Sequence, residues 1–504
     1  MCRCSNARRA SCWADRQAAR PRAWLHENAK HRHLQFRFRR KQANTGGMQL
    51  LLRLLAILAL TIMSVRPAMA QSVLRDAETE ALFQDMAAPL VTAAGLAPGN
   101  VDIVLLNDPS INAFVAGGQA IYVHSGLINE ASSAEEVQGV IAHELGHITG
   151  GHIIRFDEGM KGATSITILS LLIGVAAAAA GSPDAAMGAL AAGQQAAMGK
   201  LLAFTRVQES SADAAGAQYL SSAGISGRGS LEFFEKLQNL EFRRGIRQDD
   251  EATFGRTHPM TGDRIATLRE TYEKDPAWTR PADPQLQERF LRIRAKLYGY
   301  IAEPEQTLAA FPPTDNSIPA HYARAYAYHK QAFTDKALAE AAALIATEPG
   351  NPYFLELKGQ VLLESGRPDE ALPALRRATQ LTGNNGLIAT IFGHALIATE
   401  DEANYAEAER VLKAAVARDR ENPFAWHQLG VIYAARGDLA RAKLASAEQQ
   451  VMEQRYRDAL MSAQAAVASL PHDTPDWLRA RDIEMQAQAE LDRDKKEKKK
   501  SKDG

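Results

Sequence analysis

The chain has 504 residues, a length that favours two or three domains over one core, and 46% of them are apolar, enough to pack such domains. Charge is unevenly spread: residues 1–47 hold 12 Lys/Arg against Asp15 and Glu27, and with the 14 basic and 2 acidic residues before Gln71 set aside, 44 Lys/Arg face 57 Asp/Glu, a net charge of −13. That acidic body lacks the basic footprint that nucleic-acid binding requires, and because Cys2, Cys4 and Cys12 are the only cysteines, disulfide and thiol chemistry are excluded beyond Gln71.

In chain order, the basic stretch 1–47 reads as upstream sequence from a start codon set too early. Residues 48–70, "MQLLLRLLAILALTIMSVRPAMA", read as a Sec-type signal peptide: Met48 can start it, Arg53 charges its beginning, and Ala68-Met69-Ala70 is an A-x-A cleavage signal. Cleavage after Ala70 would deliver the chain to the periplasm. From Gln71 to Asp275 strand-like and helix-like periods mix. Within that span "NAFVAGGQAIYVHSGLI" reads as a β-hairpin turning at Gly117-Gly118, its second strand a candidate edge for an extended substrate.

"AHELGHITGGH" carries the chemistry. Ser133 and Glu136 fit a capping box, Val137, Val140, Ile141, Leu145 and Ile148 supply an apolar stripe, and Gly150-Gly151 stops the helix. On such a helix His143 and His147 lie one turn apart on one face, where both imidazoles can reach one zinc ion, with Glu144 beside them as a base. His152, five residues after His147, falls off that face and reads as a supporting or structural residue.

Ala163 to Phe204 forms two Ala/Gly-rich arms joined at Gly181-Ser182-Pro183-Asp184. Its Gln194, Gln195 and Lys200 and its many small residues favour a buried or groove-covering helical hairpin, with membrane contact the alternative. Next comes "FTRVQESSADAAG", where Glu209 and Asp213 are four apart. Glu209 can complete a His-His-Glu set, and Asp213 can hold the outer nitrogen of a ligand histidine. In "THPMTGDRI" His258 precedes a proline in a constrained loop, and Arg264 is placed to anchor that loop.

Pro276, Pro281 and Pro284 mark a junction, and 276–318 reads as a linker and helical lead-in. Beyond it Ala325, Gly359 and Gly393 recur 34 residues apart, as do Ala337 and Ala371, which is the tetratricopeptide period; an insertion near "EDEANY" delays Gly430 to 37. Residues 319–491 therefore read as a repeat domain whose groove binds a peptide or partner protein, its last units degenerate or capping. The basic end, 492–504, reads as a disordered tail.

These segments together resemble the M48-type zinc peptidases, which include the Ste24 and HtpX-type membrane proteases; the resemblance runs from Gln71 nearly end to end. It implies a mainly α fold: a zincin-type helical metalloprotease domain with a small β-sheet over 71–275, then an α-solenoid of tetratricopeptide repeats. It implies one Zn2+ per chain on His143, His147 and Glu209, with Glu144 the general base. It gives His258 two alternative roles, stabilising the transition state with Arg264 behind it or sitting on zinc as an inhibitory fourth ligand. It further implies a periplasmic endopeptidase for quality control and assembly of outer-membrane proteins. Its partners would be unfolded or stalled outer-membrane proteins and, through the repeats, the barrel-assembly machinery. Two rivals stay open: a chaperone or scaffold with a latent peptidase site, and a membrane-integrated HtpX-like protease.

Overall fold

The computed structural model describes residues 72–179, 182–244, 258 and 261–503. The stretch 1–47 and the expected signal peptide 48–70 lie outside the described residues. Short alternating runs build one small sheet from β1 (Ser72–Leu74), β2 (Asp102–Asn107), β3 (Ala113–Ala116) and β4 (Ala120–His124), with α1 (Ala77–Ala93) inserted after β1. The strand order is β1-β2-β4-β3, with β2 and β4 parallel and the other two pairs antiparallel. The expected hairpin at Gly117-Gly118 is present, but its second strand is not an edge. β2 pairs along the far side of β4, so the edge strand of the hairpin is β3, and β3 packs against the helix that carries the histidine motif.

After α2 (Ser125–Glu130), that motif helix, α3 (Ala134–Thr149), begins where the capping box places it. Ser133 Oγ accepts from Glu136 N at 3.2 Å; the returning Glu136 carboxylate accepts from Ser132 N at 2.9 Å, one residue further out, and from Lys236 Nζ at 2.8 Å. Val137, Val140, Ile141 and Leu145 enter a core shared with Leu82, Met86 and Leu90 of α1, Ile121 and Val123 of β4, and Phe233 and Phe234 of α6 (Arg228–Arg244).

Between α3 and α6 stands a long antiparallel hairpin, α4 (His152–Ala179) and α5 (Pro183–Ala223), followed later by α7 (Gly262–Glu273). The hairpin's outer part is not buried, contrary to the sequence expectation. Leu172 is 62% exposed, and Ile168, Leu169, Leu171, Ile173 and Val175 are likewise open, because the two arms pack on each other through small residues and no other described residue covers their outer faces.

The span 276–318, expected as a linker and helical lead-in, is largely helical. A 3-10 turn at Pro276–Thr279 leads into α8 (Pro284–Ile301) and α9 (Pro304–Ala310). α8 places Phe290, Ile293 and Leu297 in the core of the first domain while packing against α10 (Ile318–Lys330), the first repeat helix. The solenoid continues through α11 (Thr334–Thr347), α12 (Pro352–Glu364), α13 (Pro368–Leu381), α14 (Gly386–Ala398), α15 (Tyr405–Arg418), α16 (Pro423–Ala435), α17 (Leu439–Met452), α18 (Tyr456–Ser469) and α19 (Pro475–Asp503). Ala325, Ala337 and Ala371, spaced by the repeat, are fully buried, and the insertion is a 3-10 turn at Glu402–Asn404. Residues 492–503, expected to be disordered, continue α19 as helix, exposed over 492–500, since Lys and Glu are good helix formers.

The solenoid also holds the start of the first domain. Asp76 meets Lys296 Nζ at 2.5 Å, Glu78 accepts from Arg292 Nε at 2.7 Å and from the Tyr322 hydroxyl at 2.7 Å, and Arg75 reaches Asp419 at 3.2 Å. Ala77 packs against Ala378 and Ile388.

Candidate metal centre

Two helices make the centre, and glycine sets their separation. α3 and α5 cross backbone to backbone at Gly146, where a Cβ would stand 2.6 Å from Ala212 O, and at Gly216, where one would stand 3.1 Å from Ala142 O. A glycine inside a helix costs about 1 kcal/mol of propensity relative to alanine, so its presence between the two histidines is itself a sign of close packing. That approach brings Glu209 of α5 against the histidines of α3.

His143 Nε2 lies 3.1 Å from His147 Nε2 and 3.4 Å from Glu209 Oε2, while His147 Nε2 lies 3.4 Å from Glu209 Oε1. His258 joins them through Nδ1, 3.3 Å from His143 Nε2 and 3.1 Å from both Glu209 oxygens. All four residues are buried, and their ligand atoms lie within 4.8 Å of one another. Four ligands on a tetrahedral zinc at roughly 2.0–2.2 Å are separated by about 3.3–3.6 Å, close to the 3.1–3.4 Å of the pairs above, and His with carboxylate is a donor set zinc accepts. Glu144 adds a second sign of fit: it is 1% exposed, neither of its oxygens has a hydrogen-bond partner among the described residues, and His258 Nε2 lies 3.6 Å from Oε1. A buried carboxylate in that condition needs an ion or water chemistry to justify it.

The outer nitrogens are held as well. His143 Nδ1 lies 2.9 Å from Asp213 Oδ1. Arg264 donates to Asp213 from Nε at 2.7 Å and from its terminal nitrogen at 2.8 Å, and reaches Glu209 at 3.1 Å. Arg264 therefore buttresses the carboxylates of α5; the anchoring of the His258 loop expected from sequence falls on residues outside the described ones. Thr257, Pro259 and Met260 of that loop lie outside the described residues.

The electrostatics follow from burial and these pairs. In the protein without metal, burial works against a charged His143, but hydrogen bonds to Asp213 and Glu209 overcome it and lift its pKa to about 10. Burial and the neighbouring charge on His143 push His147 down to about 2. Burial raises Asp213 and Glu209, yet hydrogen bonds to His143, with Arg264 on Asp213 and His258 on Glu209, bring both below the usual carboxylate range. Burial raises Glu144 above the usual carboxylate value, with His258 and His143 opposing and Glu209 adding to the rise.

Sequence reasoning missed the Gly146–Gly216 crossing, although both glycines stood inside predicted helices. It also missed Phe234, whose ring meets His143 edge-on at 5.7 Å; only its helical apolar spacing was visible.

A mainly helical domain with a small sheet, an H-E-x-x-H helix, and a carboxylate closing the set from a second helix define a zinc-dependent metalloendopeptidase, here joined to a helical repeat domain. Comparison with known proteins agrees: residues 73–272 match the model of peptidase family M48, and residues 314–458 match that of the cytochrome c-type biogenesis protein H TPR domain, so the chain carries an M48 peptidase domain followed by tetratricopeptide repeats. It is similar to the beta-barrel assembly-enhancing protease of Escherichia coli (strain K12), 27% identical over 374 residues that span 69% of this chain and 74% of that one. The putative beta-barrel assembly-enhancing protease of Vibrio cholerae is 28% identical over 57% of this chain and 59% of its own. Metalloprotease LoiP of Escherichia coli (strain K12) is 32% identical over 35% of this chain and 64% of its own.

Proposed function

We propose that this protein is a periplasmic zinc endopeptidase acting in quality control and assembly of outer-membrane proteins. The repeats would engage stalled substrates or the barrel-assembly machinery, and the peptidase domain would cut. The observation that carries this reading is the convergence of His143 Nε2, His147 Nε2 and Glu209 beside the buried Glu144 carboxylate, on a chain whose relatives are named for barrel assembly. The expected export signal at 48–70 supports the location.

His143, His147 and Glu209 would hold the zinc, which when bound would supply the Lewis acidity that polarises a scissile carbonyl and acidifies water. Glu144, raised by burial, takes the proton of that water and hands it to the leaving amine. Asp213 holds the His143 ring through Nδ1, and Arg264 holds Asp213 and Glu209 in turn. The β3 edge beside α3 offers backbone groups to an extended substrate. His258 Nδ1 lies 3.1 Å from both Glu209 oxygens and could be a fourth ligand; in that state His258 would have to move before a substrate carbonyl could approach, and displaced it could steady the oxyanion. The resting enzyme is latent on this reading.

Casein cleavage by the zinc-loaded protein tests it. Glu144→Gln is expected to keep zinc and lose at least 100-fold in kcat. His258→Ala is expected to cut casein faster if His258 is a latch, and unchanged or slower cleavage would remove the latch from the account. A Glu144→Gln protein that still cuts would overturn the peptidase assignment of this site, whereas retained assembly of barrel proteins in cells by that inactive variant would favour a chaperone.

The exposed hairpin supports peripheral contact with a lipid surface. Met160–Ala179 is long and apolar enough to cross a bilayer, and between Lys161 and Lys200 Asp184 is the only charged residue. Flotation with phospholipid vesicles tests this: the protein is expected to rise with them, and Leu172→Asp with Ile168→Asp to stay behind.

A further inference from the structure

The two ligand histidines of α3 differ in what holds them from behind. His143 leans on a carboxylate, but the outer nitrogen of His147 faces another imidazole. His147 Nδ1 is 3.0 Å from His152 Nδ1, the rings meet edge-on at 4.9 Å and 80°, and His152 is 6% exposed. With His147 Nε2 turned to the other ligands, its proton belongs on Nδ1, and a neutral His152 with its own proton on Nε2 can accept it.

The local backbone is built for this contact. Gly150 closes α3, and a Cβ there would stand 2.4 Å from His152 Nε2, so the His152 ring occupies the space that any other residue at 150 would fill. Gly151 takes φ +63°, a left-handed turn that folds the chain back at the start of α4. Gln208 of α5 donates to the His152 carbonyl at 3.4 Å, tying this turn to the helix that carries Glu209.

We propose that His152 is a positioning residue for zinc: it accepts the Nδ1 proton of His147, fixes that tautomer and ring plane, and is seated by the Gly150-Gly151 turn. The proposal rests on the reading of His147 as a zinc ligand. Outer partners of ligand histidines are worth roughly 10–100-fold in metal affinity. An imidazole partner is neutral where Asp213 is anionic, so His147 is the less strongly polarised of the pair, and loss of its partner costs geometry more than charge.

The test measures zinc affinity of the full chain by competition with a chromophoric chelator, with thermal unfolding in excess zinc to verify the fold. His152→Phe keeps the ring and removes the acceptor, and is expected to weaken zinc binding 10–100-fold. His152→Asn places an amide oxygen near the position of Nδ1 and is expected to stay within about threefold of the parent, because it can still accept a hydrogen bond. Gly150→Ala unseats the ring and is expected to match His152→Phe, with the double variant no worse than either single one. Equal affinities for His152→Asn and His152→Phe, whether both strong or both weak, would overturn the proposal, and so would additive losses in the double variant. If His152→Phe does not fold, Gly150→Ala against His152→Asn decides: equal affinities reject the proposal. His147→Ala separates the two readings. Unchanged zinc binding in that variant sinks the ligand assignment itself, while its loss alongside a zinc-tight His152→Phe sinks only the role of His152.

Discussion

At the scale of the residue, His143, Glu144, His147, Glu209 and Asp213 are each displaced from ordinary protonation by burial together with named neighbours. His143 is the clearest. Its unfolded value is near 6.5 and its value in the metal-free fold is about 10, set against burial by Asp213 and Glu209. Between those values the folded chain holds a proton that the unfolded chain has released. The associated stability is therefore complete below pH 6.5 and is lost as pH rises to 10. The thermal midpoint of the metal-free protein is expected to fall across that window, and His143→Gln to flatten the fall. A metal-free parent and variant with parallel profiles would count against the pairing. Zinc must displace that proton, so its affinity is expected to drop as pH is lowered, measurable by the same chelator competition.

At the scale of the element, the crossing of α3 over α5 decides whether the ligands meet. Gly146→Ala places a methyl 2.6 Å from Ala212 O, a backbone atom that cannot rotate away, so the helices must part. A shift of about 1 Å at such a site is worth on the order of 100-fold in kcat/KM, and that loss is expected for Gly146→Ala in casein cleavage. Gly199→Ala is the control: it lies on α5 in open space and is expected to leave activity unchanged. The hairpin shows the opposite lesson about helices. Its small residues pack its two arms together as their spacing suggested, yet the larger apolar residues face outward, and no local pattern distinguishes an outward face destined for lipid from one destined for a core.

At the scale of the whole molecule, the peptidase domain and the solenoid share a buried charged joint. Asp76 and Glu78 face Arg292 and Lys296, and Glu356 of α12 lies nearby with Oε2 unpartnered and a pKa raised to about 8: burial raises it first, with Asp76 and Glu78 adding and Lys296 opposing. Its folded value exceeds the ordinary 4.5, so the stability tied to its proton is full below pH 4.5 and is lost as pH climbs to about 8. Glu356→Gln removes that liability and is expected to raise stability at pH 8 to 9 by about 1–3 kcal/mol, with no gain at pH 4. Denaturant unfolding at the two pH values checks it, and a gain equal at both would show that the carboxylate is not the cause. Much of the centre was legible beforehand, since His143, Glu144, His147, Glu209 and Asp213 were placed from two helical spacings. The bracing of Glu209 by Arg264 was not, because it depends on how α7 docks on α5. The sequence by itself determined what repeats with the pitch of a helix: the one-turn spacing of the histidines, the four-residue step from Glu209 to Asp213, and the 34-residue period of the solenoid. Only the tertiary structure decided that β3 and not β4 is the hairpin's edge, that α8 belongs to both domains, and that Gly150 makes room for His152. Each of these turns on which distant segments come within bonding distance, and periodicity along one segment carries no information about its neighbours in space.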